Sequence, residues 1–212
     1  MNGYNATIFA YGQTSSGKTY TIEGASLDDE QLQGIIPRTA TALFTQVLAA
    51  DENIEFIVQV SYIEIYMEKI RDLLDPYRTK TNLQIREDAK RGIYIADVTE
   101  ICVTSHQELL EVVKKGATNR AVAATGMNEG SSRSHSALTI TMHQRNLETQ
   151  SNKTGKLVVV DLAGSEMVGV LHSFVPVGRS PFDSTRSERL KLLVNNWKKL
   201  KRSTSPSQPW DK

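Results

Sequence analysis

The chain has 212 residues, 39% of them hydrophobic and 23% charged, which is enough for one globular domain with a sizeable core, with or without a tail. Its apolar runs are too short to span a bilayer, its N-terminus lacks a signal-peptide pattern, and its single cysteine excludes an internal disulfide. The net charge of +1 combines −5 over residues 1–169 with +6 over 170–212. An acidic main part of the chain disfavours nucleic-acid binding by that part.

The first half of the chain alternates between strand and helix patterns. Residues 6–11 are apolar and β-branched and predict a strand, which is closed by the turn-rich segment 12–19. Pro37 suits the first turn of a helix that continues to Leu48 with apolar side chains at helical spacing. Residues 56–66, rich in β-branched and aromatic side chains, predict a second strand.

The second half continues this alternation. Residues 83–105 have a period of two around a turn at 90–92, which indicates a hairpin, and Cys102 is expected there as a buried bystander thiol in a strand. Ser105 and Glu108 form a capping box that opens a helix to about Lys115. Residues 135–144 and 157–162 predict two more strands. Such alternation is typical of a layered α/β domain.

Residues 12–19 form the first candidate site. Gly12, Gly17, Lys18 and Thr19 satisfy the pattern GxxxxGK(S/T) directly after a predicted strand. Glycines let such a loop wrap a phosphate chain with its backbone N–H groups, and the N-terminus of the following helix adds its dipole. The lysine neutralises the β- and γ-phosphates and the threonine hydroxyl binds Mg²⁺. We therefore predict a site for a nucleoside triphosphate.

Two later loops suit the sensing of a γ-phosphate. NEGSSRSH (128–135) follows a helix, and DLAGSE (161–166) follows a buried strand. Ligands of open α/β sheets bind at the carboxyl ends of strands, so we expect Asp161 to hold a Mg²⁺-bound water and the Gly164 N–H to meet the γ-phosphate. Considered alone, each signal is weak, because a serine-rich loop is usually just a loop and an aspartate at the end of a strand usually caps the next element.

Four segments in this order resemble the kinesin motor domain: TIFAYGQTSSGKTYT, VSYIEIYMEKIRDLLD, MNEGSSRSHS and VVVDLAGSE. The last two match the family's switch I (NxxSSR) and switch II (DLAGSE) patterns, and IYMEKIRDLLD followed by TNLQIREDAKR is most similar to conventional kinesins. The resemblance covers about residues 1–169. It implies an α/β P-loop NTPase with a central, mostly parallel sheet flanked by helices, incomplete as a motor fold.

The resemblance also implies a role for each matching residue. The nucleotide-binding set is Gly12, Gln13, Thr14, Ser15, Ser16, Gly17, Lys18, Thr19 and Tyr20. The catalytic set is Ser131, Ser132, Arg133, Gly164 and Glu166. Within it, Ser131 helps to place the attacking water and Gly164 senses loss of the phosphate. Mg²⁺ is held by Thr19, Ser132 and, through water, Asp161.

Arg133 and Glu166 are expected to form a salt bridge that closes the two switches over the γ-phosphate. A partly desolvated arginine–carboxylate pair is able to bias a loop between two states. The alternative is an ordinary surface ion pair, which contributes less than about 1 kcal/mol.

The resemblance implies ATP and Mg²⁺ as cofactors and the microtubule as partner. Lys69, Arg86, Lys90 and Arg91 fall in a lobe that the family uses for contact with tubulin, although a plain solvated face explains them nearly as well. We expect a cytoplasmic protein of the microtubule cytoskeleton, with no nucleic-acid partner and no membrane span.

The residues after switch II break the family pattern. In the family a loop and a long helix follow, but Pro176, Gly178 and Pro181 would interrupt such a helix in its first turns. We predict a partial motor domain over 1–169, without the family's upstream strand, and an unrelated, poorly ordered basic tail over 170–212 that arises from a frame or splice change or a gene-model error. Within this tail, five apolar residues fall on one helical face: Leu190, Leu193, Val194, Trp197 and Leu200. They indicate either a short basic amphipathic helix or an accidental pattern.

Two other functions stay open from the sequence. An inactive fragment or binding decoy fits the missing segments, because their loss exposes a sheet edge and removes the output of the switches. A non-motor P-loop enzyme such as a GTPase fits DLAG as a DxxG motif, but NKTG at Asn152 lacks the aspartate of NKxD and precedes DxxG. We predict weak or absent microtubule-stimulated ATPase activity for this chain.

Overall fold

The computed structural model describes residues 2–89, 92–126 and 133–165, with the backbone alone for 123–126. Residues 87–89 and 92–94 belong to a second unit, and the remaining described residues form one compact unit. In chain order the elements are β1 (Ala6–Ala10), α1 (Lys18–Ile22), α2 (Ile35–Leu48), β2 (Ile54–Tyr66), β3 (Lys69–Asp72), β4 (Ile85–Asp88), β5 (Gly92–Ile95), β6 (Ile101–Val103), α3 (His106–Gly126), β7 (His135–Asn146) and β8 (Asn152–Asp161).

A six-stranded sheet with the path β1–β8–β7–β2–β3 is the centre of the compact unit, and β6 also pairs with β2. The expected α/β layering is confirmed, but the sheet is mixed rather than mostly parallel. Among the described strands of this sheet only β1 and β8 run parallel. Short connections explain two of the antiparallel pairs: five residues join β7 to β8 and two join β2 to β3, and turns of this length connect only antiparallel neighbours.

The parallel pairing of β1 with β8 places two candidate loops side by side. Ala10, the last residue of β1, lies opposite Asp161, the last residue of β8. Both strands therefore end at the same edge of the sheet. Residues 12–19 and the DLAGSE segment leave this edge together, which is the arrangement that a ligand at the carboxyl ends of strands requires.

The core lies between this sheet and the helices. α3 packs on β2 and β6, α2 packs against α3, and α1 packs against β1 and β8. Val60, Tyr62, Leu109, Val113 and Leu138 are among the fully buried side chains of one continuous apolar cluster. Such a cluster is the main source of stability, at about 25 cal/mol for each Å² of apolar surface that is buried.

α3 begins at the cap that the sequence predicts, with one difference: the Glu108 carboxylate bonds the N–H of Thr104 instead of that of Ser105. The Glu108 N–H donates to Ser105 Oγ over 3.2 Å, and the Glu108 carboxylate accepts from the Thr104 N–H over 2.7 Å. These bonds hold the pKa of Glu108 below its ordinary value, because the Thr104 backbone and side chain both donate to the ionised form. The helix continues beyond the predicted end at Lys115 to Gly126.

Two details differ from the sequence-based expectations. β3 was not predicted, because its hairpin turn uses Met67 and Glu68 at positive φ (46° and 64°) instead of the glycine or asparagine that usually marks such turns. Cys102 does lie in a strand, β6, but it is exposed and not buried. Its neighbours Ile101 and Val103 point to the core, and in a strand the residue between them faces the other side.

The predicted hairpin over 83–105 is only partly correct. β4 and β5 do form a two-stranded sheet, and Gly92 at the start of β5 has a φ of 71°, a conformation that glycine adopts readily. β6, however, pairs with β2 in the large sheet. The turn residues Lys90 and Arg91 lie outside the described residues.

Candidate nucleotide site

The loop between β1 and α1 has the conformation of a phosphate-binding loop. Gly17, the N-cap of α1, has a φ of 86°, in the left-handed region that favours glycine. A Cβ at Gly12 would come within 2.7 Å of Ser16 Oγ, so the Ser16 hydroxyl would have to rotate away to admit a side chain there. Residues 14–15 and 17–20, together with Leu162, line an open cleft of about 340 Å³. The cleft thus joins the predicted nucleotide-binding loop to the start of switch II.

Lys18 folds back over its own loop. Its Nζ donates to the carbonyl oxygens of Gly12 at 3.0 Å and Gln13 at 2.8 Å. Carbonyl groups are weaker acceptors for an ammonium ion than a phosphate oxygen is, because bonds between two ions are the stronger kind. Lys18 therefore lies where a polyphosphate in the cleft would attract it away from these carbonyls.

Thr19 is joined to Asp161 by a short hydrogen bond. Thr19 Oγ1 donates to Asp161 Oδ2 over 2.7 Å, across a sequence separation of 142 residues. Because the hydroxyl uses its proton in this bond, the lone pairs of Thr19 Oγ1 remain available to a cation. This bond connects the predicted phosphate-binding loop (residues 12–19, the phosphate loop below) with the end of β8. It does so through two of the residues that are predicted to hold the metal.

The second carboxylate oxygen of Asp161 fits a metal-bound water. Asp161 is only 3% exposed, and its Oδ1 has no hydrogen-bond partner among the described residues. A buried carboxylate oxygen of this kind costs free energy unless a donor or cation satisfies it. Oxygen ligands from a hydroxyl and a carboxylate are the type that Mg²⁺ prefers. Thr19 and Asp161 therefore fit the predicted Mg²⁺ site, whereas the third predicted ligand, Ser132, lies outside the described residues.

Arg120 on α3 is the residue that sequence analysis missed. Its side chain is 6% exposed and makes ion pairs with Asp161 (Nη1–Oδ2, 3.1 Å) and Glu64 (Nε–Oε1, 3.8 Å). Its Nη2 donates to the Ser134 carbonyl over 3.2 Å. Arg71 pairs with the other oxygen of Glu64 at 3.1 Å, so two arginines balance two carboxylates. Removing one partner of such a buried ion pair typically lowers the stability of the fold by about 3–5 kcal/mol.

A signal for Arg120 was present in the sequence. Leu109, Val113, Gly116 and Arg120 follow one another at spacings of four, three and four residues, which is one face of a helix, and all four are buried. Because the helix is predicted to end at about Lys115, Arg120 was not assigned to that face. A charged residue at a core position of a helix is the pattern that would have identified it.

The two switch segments contact each other and the phosphate loop. The Ala163 N–H donates to His135 Nδ1 over 2.9 Å, and the Ser165 N–H donates to the Gly12 carbonyl over 2.9 Å. The first bond joins the end of the switch I motif to switch II, and the second joins switch II to the phosphate loop. These two bonds connect the three segments directly.

Glu23 and Tyr62 form a polar pair near the same charges. The Tyr62 hydroxyl donates to Glu23 Oε1 over 2.8 Å. Burial raises the pKa of Glu23, and Arg120 opposes this effect only in part. Burial and the Glu23 carboxylate likewise raise the pKa of Tyr62. Glu23 ends the helix that carries Thr19, so this pair anchors that helix to β2.

The remaining predicted residues are brought together only in part. Arg133 is exposed and Gly164 is half-buried just beyond β8. Ser131, Ser132 and Glu166 lie outside the described residues, so the expected salt bridge between Arg133 and Glu166 stays a prediction. Of the predicted tubulin contacts, Lys69 begins β3 and Arg86 lies in β4, both exposed.

The fold and this site define a P-loop NTPase domain: a phosphate loop after an edge strand, a threonine hydroxyl at its end, and an aspartate at the end of the parallel neighbour. The kinesin motor domain model matches residues 1–173. The chain therefore belongs to the kinesin motor domain family, and the GTPase alternative is set aside.

Similar proteins agree with this assignment. The kinesin heavy chain of Neurospora crassa is 54% identical over 169 residues, covering 80% of this chain and 18% of that protein. Kinesin heavy chain isoform 5A of Homo sapiens is 57% identical over 168 residues, covering 79% and 16%. A solved fast kinesin, described with its ATPase mechanism and microtubule interactions, has a TM-score of 0.76 and 52% identity over 83% of this chain and 49% of its own. The chain thus spans less than a fifth of these curated relatives.

Proposed function

We propose that this chain is an ATP-binding module of a microtubule motor, which binds ATP with Mg²⁺ through the phosphate loop and the two switches. The Thr19–Asp161 hydrogen bond of 2.7 Å carries the proposal, because it joins the loop to switch II beside a buried, unsatisfied carboxylate oxygen. When bound, Mg²⁺ supplies charge neutralisation of the β- and γ-phosphates. The chain's own residues orient the phosphates, and Lys18 is the cation that the loop itself contributes.

Hydrolysis and its coupling to the microtubule belong to this proposal as family properties. Ser131 and Ser132 would place the attacking water and the metal, Arg133 and Glu166 would close the switches, and Gly164 would sense phosphate loss. The family match ends at residue 173, and the sequence beyond it lacks the pattern of the relay helix. We therefore expect weak or absent stimulation of this chain by microtubules, with an inactive fragment or binding decoy as the alternative.

Nucleotide binding is tested first by replacing Lys18. In the purified 1–212 chain, Lys18→Met should weaken Mg-ATP binding by about one to two orders of magnitude, because a bond to a charged group contributes about 1.5–3 kcal/mol. Lys153→Met is the matched control, since Lys153 lies at the opposite end of β8 from Asp161. Calorimetry with ATP and ADP measures both. Equal affinities for the two variants would contradict the assigned site.

Microtubule binding is the second proposal, together with a cytoplasmic location on the microtubule cytoskeleton. None of the described helices is long and apolar enough to cross a membrane. Basic side chains at Lys69 and Arg86 suit an acidic filament surface, and Lys90 and Arg91 are proposed to add to it. Co-sedimentation of Lys69→Glu and Arg86→Glu chains with microtubules should show reduced, salt-sensitive binding. Lys114→Glu, on α3, is the control that should bind like the unaltered chain.

The ATPase assay with and without microtubules decides between motor and decoy. Measurable ATP binding with little stimulation is the expected result. Strong stimulation would show that residues 1–212 hold all the coupling elements that the motor needs, which is contrary to our expectation.

A further inference from the structure

We infer that Arg120 is the positioning residue of the metal site: it holds Asp161 so that Oδ1 is presented to the metal-bound water while Oδ2 retains the Thr19 hydroxyl. This inference rests on the proposed binding of Mg²⁺ and nucleotide. It assigns a role to a helix residue outside the phosphate loop and both switch motifs.

The geometry separates the two oxygens of the Asp161 carboxylate. Oδ2 accepts from Arg120 Nη1 at 3.1 Å and from Thr19 Oγ1 at 2.7 Å. Oδ1 is buried without a hydrogen-bond partner among the described residues. Two donors on one oxygen fix the rotation of the carboxylate, so the direction of Oδ1 is set before any metal binds.

The charge balance makes this arrangement tolerable in the interior. Asp161, Arg120 and Glu64 have side chains only 3–7% exposed. A lone Asp161 carboxylate in this position would be costly, and the guanidinium offsets that cost. Glu64 in turn holds the guanidinium from the side of β2, so that Arg120 does not depend on Asp161 alone for an anionic partner.

Arg120 also reaches the end of the switch I motif. Its Nη2 donates to the carbonyl oxygen of Ser134 at 3.2 Å and lies 3.4 Å from Ser134 Oγ. One planar guanidinium therefore fixes Asp161 and Ser134 with respect to each other. A lysine has a single ammonium group and is unable to reproduce this forked geometry.

The test compares nucleotide affinity with and without the metal in the purified 1–212 chain. Titration of a fluorescent ADP analogue in Mg²⁺ and in EDTA gives the factor by which Mg²⁺ strengthens binding. Arg120→Met should reduce this factor by up to about tenfold, because loss of an outer-shell partner typically costs about 10–100-fold and Arg120 acts one step further out, through Asp161 and its water. The affinity in EDTA should change by less than about threefold, because the phosphate loop keeps its own glycines and Lys18. Arg120→Lys should restore the factor in part.

A matched control separates positioning from general stability. Arg71→Met removes the other arginine that pairs with Glu64, so it should lower stability and leave the Mg²⁺ factor unchanged. An unchanged factor in Arg120→Met, or an equal loss in Arg71→Met, would overturn the inference.

A second measurement covers variants that fold poorly and chains that bind no nucleotide. Urea unfolding of Arg120→Met, Asp161→Asn and the double variant, without nucleotide, forms a double-mutant cycle. Strong non-additivity supports Arg120 as the residue that holds Asp161, and additive effects overturn it. Failure of the unaltered chain to bind ADP would defeat the proposed function, and the cycle alone would then decide the role of Arg120.

Discussion

His135 Nδ1 accepts a hydrogen bond of 2.9 Å from the Ala163 N–H, and this bond connects the end of switch I to switch II. Ala163 is buried, so its N–H has no ready access to water that would replace this hydrogen bond. The acceptor role also assigns the tautomer, because a neutral imidazole that accepts at Nδ1 carries its proton on Nε2.

Replacement of His135 tests this bond. His135→Ala should lower the free energy of unfolding by about 1–3 kcal/mol, since it leaves the Ala163 N–H unpaired in the interior. His135→Asn should retain much of that stability, because its side-chain carbonyl accepts at a similar distance from the backbone. Urea unfolding measures both. Equal losses for the two variants would show that the hydrogen bond is not the source of the effect.

Substitution of Thr19 tests the link between metal and switch II. Thr19→Val keeps the shape of the side chain but removes the hydroxyl, so the strengthening of ADP binding by Mg²⁺ should be largely lost. Thr19→Ser keeps the hydroxyl and should preserve it. Titration of a fluorescent ADP analogue at increasing Mg²⁺ concentrations distinguishes them. A normal Mg²⁺ response in Thr19→Val would contradict the assignment.

Because the pKa of Glu23 is raised by burial, neutralising this side chain should increase the stability of the fold by an amount that depends on pH. A carboxyl group whose folded-state pKa is raised favours folding most at low pH, and this contribution is lost as pH rises through the folded pKa. Glu23→Gln removes the burial cost of the charge and retains an acceptor for the Tyr62 hydroxyl. We expect the glutamine variant to be the more stable one at pH 7.

The difference in stability between the two chains should shrink as the pH falls towards and below 4.5, the ordinary pKa of a glutamate, where both side chains are neutral. Denaturant unfolding of both chains at pH 7 and at acidic pH measures it. A difference that stays constant, or grows on acidification, would refute the assigned sign.

Gly116 is needed where α3 crosses β2. A Cβ at this position would overlap Tyr62 Cδ1 and lie 2.9 Å from Cε1 of the same buried ring. Overpacking of this kind costs about 1–3 kcal/mol, which exceeds the gain of about 1 kcal/mol from alanine's helix propensity. Gly116→Ala should therefore lower the melting temperature. Lys115→Ala, on the exposed face, is the control and should change stability by less than about 0.5 kcal/mol. A stabilised Gly116→Ala chain would argue against this contact.

Local patterns were sufficient for much of the fold and site. The glycines and Lys18 of the phosphate loop, the capping box at Ser105 and the strand before Asp161 were all recognisable, because each depends on a few neighbouring residues with fixed backbone requirements. The start of α3 was visible for the same reason, up to about Lys115.

The contacts across the sheet were not recognisable in this way. Three features join residues that are distant in the sequence: the hydrogen bond from Thr19 to Asp161, the insertion of Arg120 between Glu64 and Asp161, and the pairing of β2 with β6 and β7. No periodicity encodes such pairs, since they arise from the order and register of the strands. Local sequence patterns therefore identify the side chains that are able to bind a phosphate and a metal, whereas the packing of α3 on the sheet places the buried Arg120 beside Asp161.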